Sequence, residues 1–278
     1  MFEFFLSILT IVFLVSAATV ATQNLQVFPG ALFGLFGKLF PIKENALPHH
    51  VVSSFIITPD GKRLEVWYLP ANSDTKKSDK VGIIFHGNGG SVESFILAGL
   101  WFQEQGISSY LFDYRGFGKS TGWPTEKGIY IDSEAVINWV IEKEKTSANN
   151  LVLMGISLGS APASLIAMKY KPWMLILLSP FRNFRSLIGD YILFRHLKYF
   201  SFFRLPVDEY VSELTETSLV LLHGGKDKII SSRHSEIIKN EYKGSGKVEL
   251  SIIPLAGHNN VLYLGWERLK DMAKEVGL

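Results

Sequence analysis

The chain has 278 residues, 47% of them hydrophobic, a net charge of +2 and no cysteine. That length suits one large domain with a substantial core, and the near-neutral charge gives no electrostatic case for a nucleic-acid partner. Disulfides, thiolate catalysis and cysteine-ligated metals are excluded, while cysteine absence says nothing about compartment.

No Asp, Glu, Lys or Arg occurs between Glu3 and Lys38. The apolar run from Phe4 to Ala21 would form a helix of ~27 Å, against a hydrocarbon core of ~30 Å. Residues 1–21 therefore read as a single-pass transmembrane anchor. A cleavable signal peptide stays open, because Ser16-Ala17-Ala18 offers small residues of the cleavage type, and it would leave a secreted or periplasmic chain. Glu3 and the lack of Lys or Arg ahead of the run argue against cleavage. A core helix is the third reading. Lys38 and Lys43 lie too far along to fix an orientation.

Residues 22–49 form a linker or amphipathic segment. Within it Phe28–Phe40 is apolar, aromatic and punctuated by glycine, with Pro29 and Pro41 as breakers. It either lies on a membrane surface or packs against the body of the protein.

Residues 50–278 read as one domain. Val51–Thr58 and Arg63–Leu69 are two strands around a Pro59-Asp60-Gly61 turn, so a hairpin. Residues 71–80 are a charged surface loop. Strands and helices then alternate. The strands are Val81–Phe85, Ile107–Phe112, Leu151–Ile156, Met174–Leu178, Ser218–Leu222 and Val248–Ile253. The helices are Ser91–Gln105 (Ser91 as N-cap, Gly106 as terminator), Asp132–Lys145, Leu158–Tyr170, Ser232–Tyr242 and Val261–Val276. Apolar strands separated by helices predict an α/β fold, a mostly parallel central sheet with helices on both faces. Residues 181–206 interrupt the alternation with eight Phe/Tyr and five Arg/Lys against one acid, Asp190. They predict a small cap over the C-terminal edge of the sheet, extending through residues 181–213.

Gly155-Ile156-Ser157-Leu158-Gly159 matches G-x-S-x-G. The five residues alone say little, but an apolar strand enters them and a small-residue helix, Ser160-Ala161-Pro162-Ala163-Ser164, leaves them. That context fits a nucleophile elbow, whose serine projects beyond the sheet edge above a helix N-terminus. A serine hydroxyl needs a base to take its proton. Of seven histidines, His258 lies between the last strand and the last helix. An acid must hold that imidazole's tautomer, and Asp227 in His223-Gly224-Gly225-Lys226-Asp227-Lys228 follows the preceding strand. Asp208, on the far side of the cap, is the runner-up acid. His49, His50, His196 and His234 sit in segments with no matching partner, and His223 reads as structural. His86-Gly87-Asn88-Gly89-Gly90 is a loop whose glycines allow close backbone approach, so the oxyanion hole is assigned to the amides of Asn88 and Leu158. A phosphate-cradling loop is the weaker reading, since no Lys-Ser/Thr pair follows these glycines. In Asp113-Tyr114-Arg115-Gly116-Phe117-Gly118-Lys119-Ser120, Asp113 and Arg115 are expected to pair and brace the loop.

These motifs, with Ala256-Gly257-His258, occur in the order and spacing of α/β-hydrolases. The chain resembles the membrane-anchored α/β-hydrolase-domain (ABHD) branch related to serine aminopeptidases over roughly residues 50–278. The resemblance implies an α/β-hydrolase fold, catalytic roles for Ser157, Asp227 and His258, and acyl transfer to water. Members of that branch include lipid esterases and protein-thioester hydrolases. One departure is Ile229-Ile230-Ser231, where relatives often carry a proline. The expected protein is a monomeric serine hydrolase of an ester or thioester, with a small-molecule or acyl-chain substrate and no metal or cofactor. Its membrane contact is the N-terminus. A serine peptidase of the aminopeptidase type and a non-catalytic binding protein on the same fold remain alternatives.

Overall fold

In the computed structural model the residues described are 51–72, 77–191, 198–199 and 201–278, together with Thr10, Val27 and Phe28. The expected anchor over 1–21 and most of the 22–49 segment lie outside them, as do His49, His50 and His196. Among the described residues no helix is long and apolar enough to cross a membrane.

Eight strands form one sheet in the order β1-β2-β4-β3-β5-β6-β7-β8. They are β1 (Val52–Ile57), β2 (Arg63–Leu69), β3 (Val81–Phe85), β4 (Ser108–Phe112), β5 (Leu151–Ile156), β6 (Met174–Leu178), β7 (Ser218–Gly224) and β8 (Val248–Ile253). β1 and β2 are the predicted hairpin, β2 also runs antiparallel to β4, and every pairing from β4 to β8 is parallel. Alternation along each strand divides its side chains between two cores. Ile83, Leu153, Leu177 and Leu221 enter one, and Ile84, Met154, Ile176 and Leu222 the other. The parallel strands are apolar throughout because both faces are covered.

Helices α1 (Ile96–Glu104), α2 (Glu126–Glu144) and α3 (Ser160–Tyr170) flank the centre of the sheet. The cap contributes α4 (Phe184–Asp190) and α5 (Val207–Ser212). Next come α6 (Arg233–Glu241), α7 (Val261–Leu264) and α8 (Trp266–Glu275). Val136, Val140 and Ile166 of α2 and α3 fill the first core, whereas Trp101, Phe102, Leu269 and Met272 of α1 and α8 fill the second. Helices thus cover both faces of an α/β-hydrolase fold.

Several expected elements change. The Asp132–Lys145 helix begins six residues earlier, at Glu126, because the Thr125 side chain accepts the Gly128 N–H and caps it. The expected final helix breaks at Gly265. A Cβ there would stand 2.8 Å from the Leu222 side chain and from the Val261 carbonyl. Ser91 makes no side-chain cap, because the Asp113 carboxylate accepts the Val92 N–H instead, at 2.9 Å.

The expected Asp113–Arg115 pair does not form. Arg115 reaches away from Asp113 and forks onto Asp132 (Nη2 to Oδ1, 2.8 Å) and Asp60 (Nη1 to Oδ2, 2.7 Å). Hydrogen bonds from Arg115 hold the Asp60 carboxyl down at about 2, while burial pushes the Asp132 carboxyl up. Asp132 is fully enclosed. Arg115→Met should therefore cost about 3–5 kcal/mol, by stranding a buried carboxylate. Urea unfolding would read this as a lower midpoint, and adding Asp132→Asn should recover part of it. A loss below about 1 kcal/mol would show that the pair contributes no more than a surface ion pair.

Candidate active site

β5 ends at Ile156 and the chain turns at once. Ser157 takes φ +52°, in the left-handed region, and a short 3-10 turn, Ser157–Gly159, leads into α3. A non-glycine residue held there stores strain, and functional turns are where such strain is found. The flanking glycines permit the turn. A Cβ on Gly159 would stand 2.0 Å from the Phe85 carbonyl oxygen, and one on Gly155 would stand 2.8 Å from that of Gly159. Only hydrogen fits where β3, β5 and α3 converge.

Two other strand ends bring up the partners. Asp227 lies in the loop after β7, and His258 in the loop after β8. The Ser157 hydroxyl donates to His258 Nε2 at 3.0 Å, and His258 Nδ1–H donates to Asp227 Oδ2 at 2.7 Å. The three residues assigned from sequence are therefore joined in one hydrogen-bonded chain. Asp227 Oδ1 accepts the amides of Ile229 and Ile230 at 2.9 and 2.8 Å. Burial pushes the Asp227 carboxyl up, but hydrogen bonds from His223, His258 and the Ile230 amide outweigh it and hold the group far below the usual carboxylate range. Asp227 therefore stays ionised beside the imidazole.

His223 is a partner that sequence reasoning left as structural. It is fully buried, with Nε2 2.9 Å from the Ile230 carbonyl and 3.4 Å from Asp227 Oδ2. A carbonyl only accepts, so Nε2 carries the proton, and Nδ1 lies 2.7 Å from the Ser235 hydroxyl. This buried imidazole thus backs the acid loop. Asp208, the runner-up acid, is engaged elsewhere, accepting from Arg182 Nε at 2.5 Å. His234 does find partners, the Arg182 amide and the Asp190 carboxylate.

The glycine loop after β3 lies against the elbow. A Cβ on Gly87 would stand 3.4 Å from that of Ser157. His86, at the head of the loop, is stacked on Phe95 and packed on Tyr114 and Phe117. Burial pushes its imidazole down to about 4, so it is neutral at pH 7. Asn88 Nδ2 donates to the Val27 carbonyl at 2.5 Å. Phe28 is fully buried, with its ring 5.5 Å from Phe203 of the cap and 6.4 Å from Phe117. Of the two readings for Phe28–Phe40, packing against the body therefore holds at Phe28. Leu158 is buried in the 3-10 turn, where its amide precedes the first intrahelical bond.

The strand order and the placement of serine, acid and histidine after β5, β7 and β8, at one edge of the sheet, define an α/β-hydrolase. The sequence pattern of the serine aminopeptidase S33 family matches residues 76–202. An uncharacterized membrane protein of Saccharomyces cerevisiae is 30% identical over 266 residues, 92% of this chain and 90% of that one. The chain belongs to this family of α/β-hydrolases. Among solved structures, the alpha-beta hydrolase of Vibrio vulnificus matches with TM-score 0.68 at 19% identity, covering 81% of each chain. The esterase Pf2001 of Pyrococcus furiosus matches with TM-score 0.66 at 22% identity, covering 84% of this chain and 96% of that one. These two likenesses show the fold.

Proposed function

We propose that the protein hydrolyses acyl esters or thioesters through a covalent acyl-enzyme on Ser157. The observation that carries this reading is the unbroken chain from the Ser157 hydroxyl through His258 to the ionised Asp227. His258 Nε2 takes the hydroxyl proton as Ser157 Oγ attacks the acyl carbonyl. Asp227 holds Nδ1–H and stabilises the imidazolium. The Asn88 and Leu158 amides receive the oxyanion at the mouth of the helix. The imidazolium then protonates the leaving alcohol or thiol. Water, deprotonated by His258, attacks the acyl-enzyme, and the proton returns to Ser157 as the acid leaves. No cofactor enters this scheme.

The loops that carry Asp227 and His258 also expose apolar side chains, Ile229 on one and Leu255 on the other. Tyr263 of α7 and Phe202 of the cap do the same. Exposed apolar side chains on the two triad loops suit an apolar acyl chain, and the apolar N-terminus would hold them beside a membrane, as the description of the yeast relative as a membrane protein suggests for that protein. The test is a panel of ester, thioester and amide substrates of graded acyl length against the full chain in neutral micelles. Turnover of esters or thioesters that rises with chain length, about threefold or more per added methylene pair, supports the reading. Preference for amides of small amino-terminal residues would replace it with a peptidase.

A further inference from the structure

The cap shapes a cavity of about 730 Å³ between α4 and α6 that the triad does not line. Arg182, Arg185, Lys198 and Arg233 surround it, together with Asp190 and His234. Two of these groups are already answered. Arg182 donates to Asp208. His234 is buried, and its state is fixed by its partners. Nδ1 accepts the Arg182 amide at 3.0 Å, so Nε2 carries the hydrogen and donates to Asp190 Oδ2 at 2.7 Å. His234 is thus neutral, and Asp190 is the one carboxylate among the lining residues.

Arg185, Lys198 and Arg233 have no carboxylate partner among the described residues. Three cations therefore face a concave wall against one carboxylate. Such a wall focuses positive potential and concentrates anions. A phosphate group, with about −1.5 to −2 charge at neutral pH and three acceptor oxygens, matches that excess, and guanidinium forks bind it through two bonds at once. A lone carboxylate would leave about half the excess unanswered.

We propose that this cavity binds a phosphate-bearing ligand, held chiefly by Arg185 and Arg233. Its occupant would sit against the acid loop. Ser231 of that loop is in the wall, and the Tyr191 hydroxyl at the end of α4 donates to the Ile229 carbonyl at 2.7 Å.

The test titrates the full chain in neutral micelles with sodium phosphate at constant ionic strength, read by calorimetry. A second arm sediments it with phosphatidylcholine vesicles with and without phosphatidic acid. The expected result is saturable phosphate binding, or a phosphatidic-acid-dependent gain in sedimentation. Either should weaken about tenfold or more in the Arg185→Ser/Arg233→Ser double variant and partly return with lysine at both positions. A response in the first arm alone assigns a soluble phosphate compound, and one in the second alone a lipid headgroup. Both side chains are exposed, so the double variant should melt as the parent does. No binding in either arm, or equal binding by parent and double variant, overturns the proposal. The readout is binding, so its failure is separate from any failure of Ser157 as nucleophile.

Discussion

Ser157→Ala should lower turnover ~10⁶-fold and abolish fluorophosphonate labelling, the loss seen when a serine hydrolase is deprived of its nucleophile. The expectation rests on geometry. Ser157 Oγ is the hydroxyl within hydrogen-bond reach of His258. Ser160 and Ser164, the next serines along α3, are fully buried and cannot stand in. Alanine carries the same Cβ into the same left-handed turn, so the fold should persist and circular dichroism should match the parent. The residual rate, ~10³–10⁴ above water, would come from the oxyanion amides and substrate binding. Unchanged labelling or an unchanged rate in a folded variant would remove Ser157 from the chemistry.

The strands of the sheet centre were legible because burial on both faces leaves continuous apolar runs. Leu151–Ile156 and Met174–Leu178 have the bounds that their sequence predicts. The elbow was legible because its steric demand is local. Glycine is needed at 155 and 159 where backbone and helix crowd the turn, and both glycines are written beside the serine. Asp227 and His258 were found by their positions after successive strands, which parallel topology turns into proximity.

Ionic pairing was not legible. Asp113 and Arg115 are near in sequence, but Arg115 finds two acids from distant segments, Asp60 and Asp132, and leaves Asp113 to cap the start of the helix after β3. Sequence separation does not report side-chain direction through a turn. Phe28 was ambiguous for a related reason. A glycine-punctuated stretch has no period to show which ring is buried, and Phe117 and Phe203 that receive it lie far along the chain. The link from His223 to Asp227 depends on the acid loop folding back under β7, which residue types alone do not encode.

That loop carries the second large effect. Asp227→Asn should cost ~10⁴ in kcat with little change in KM, since the loss is one of transition-state stabilisation. Asp227 Oδ1 accepts two backbone amides, from Ile229 and Ile230, so an asparagine carbonyl would keep that position. The amide nitrogen must then occupy the place of Oδ2, facing His258 Nδ1 and His223 Nε2. His223 Nε2–H is held by the Ile230 carbonyl and offers that nitrogen no acceptor. The asparagine N–H₂ would therefore donate to His258 Nδ1, forcing the imidazole proton onto Nε2. A protonated Nε2 cannot receive the Ser157 proton, and the negative charge that steadied the imidazolium is gone as well. Fluorophosphonate labelling should slow in step with kcat. Asp208→Asn is the control, because Asp208 pairs with Arg182 and not with the imidazole, and it should leave kcat within about threefold. A loss below tenfold in Asp227→Asn, or a larger one in Asp208→Asn, would reassign the acid.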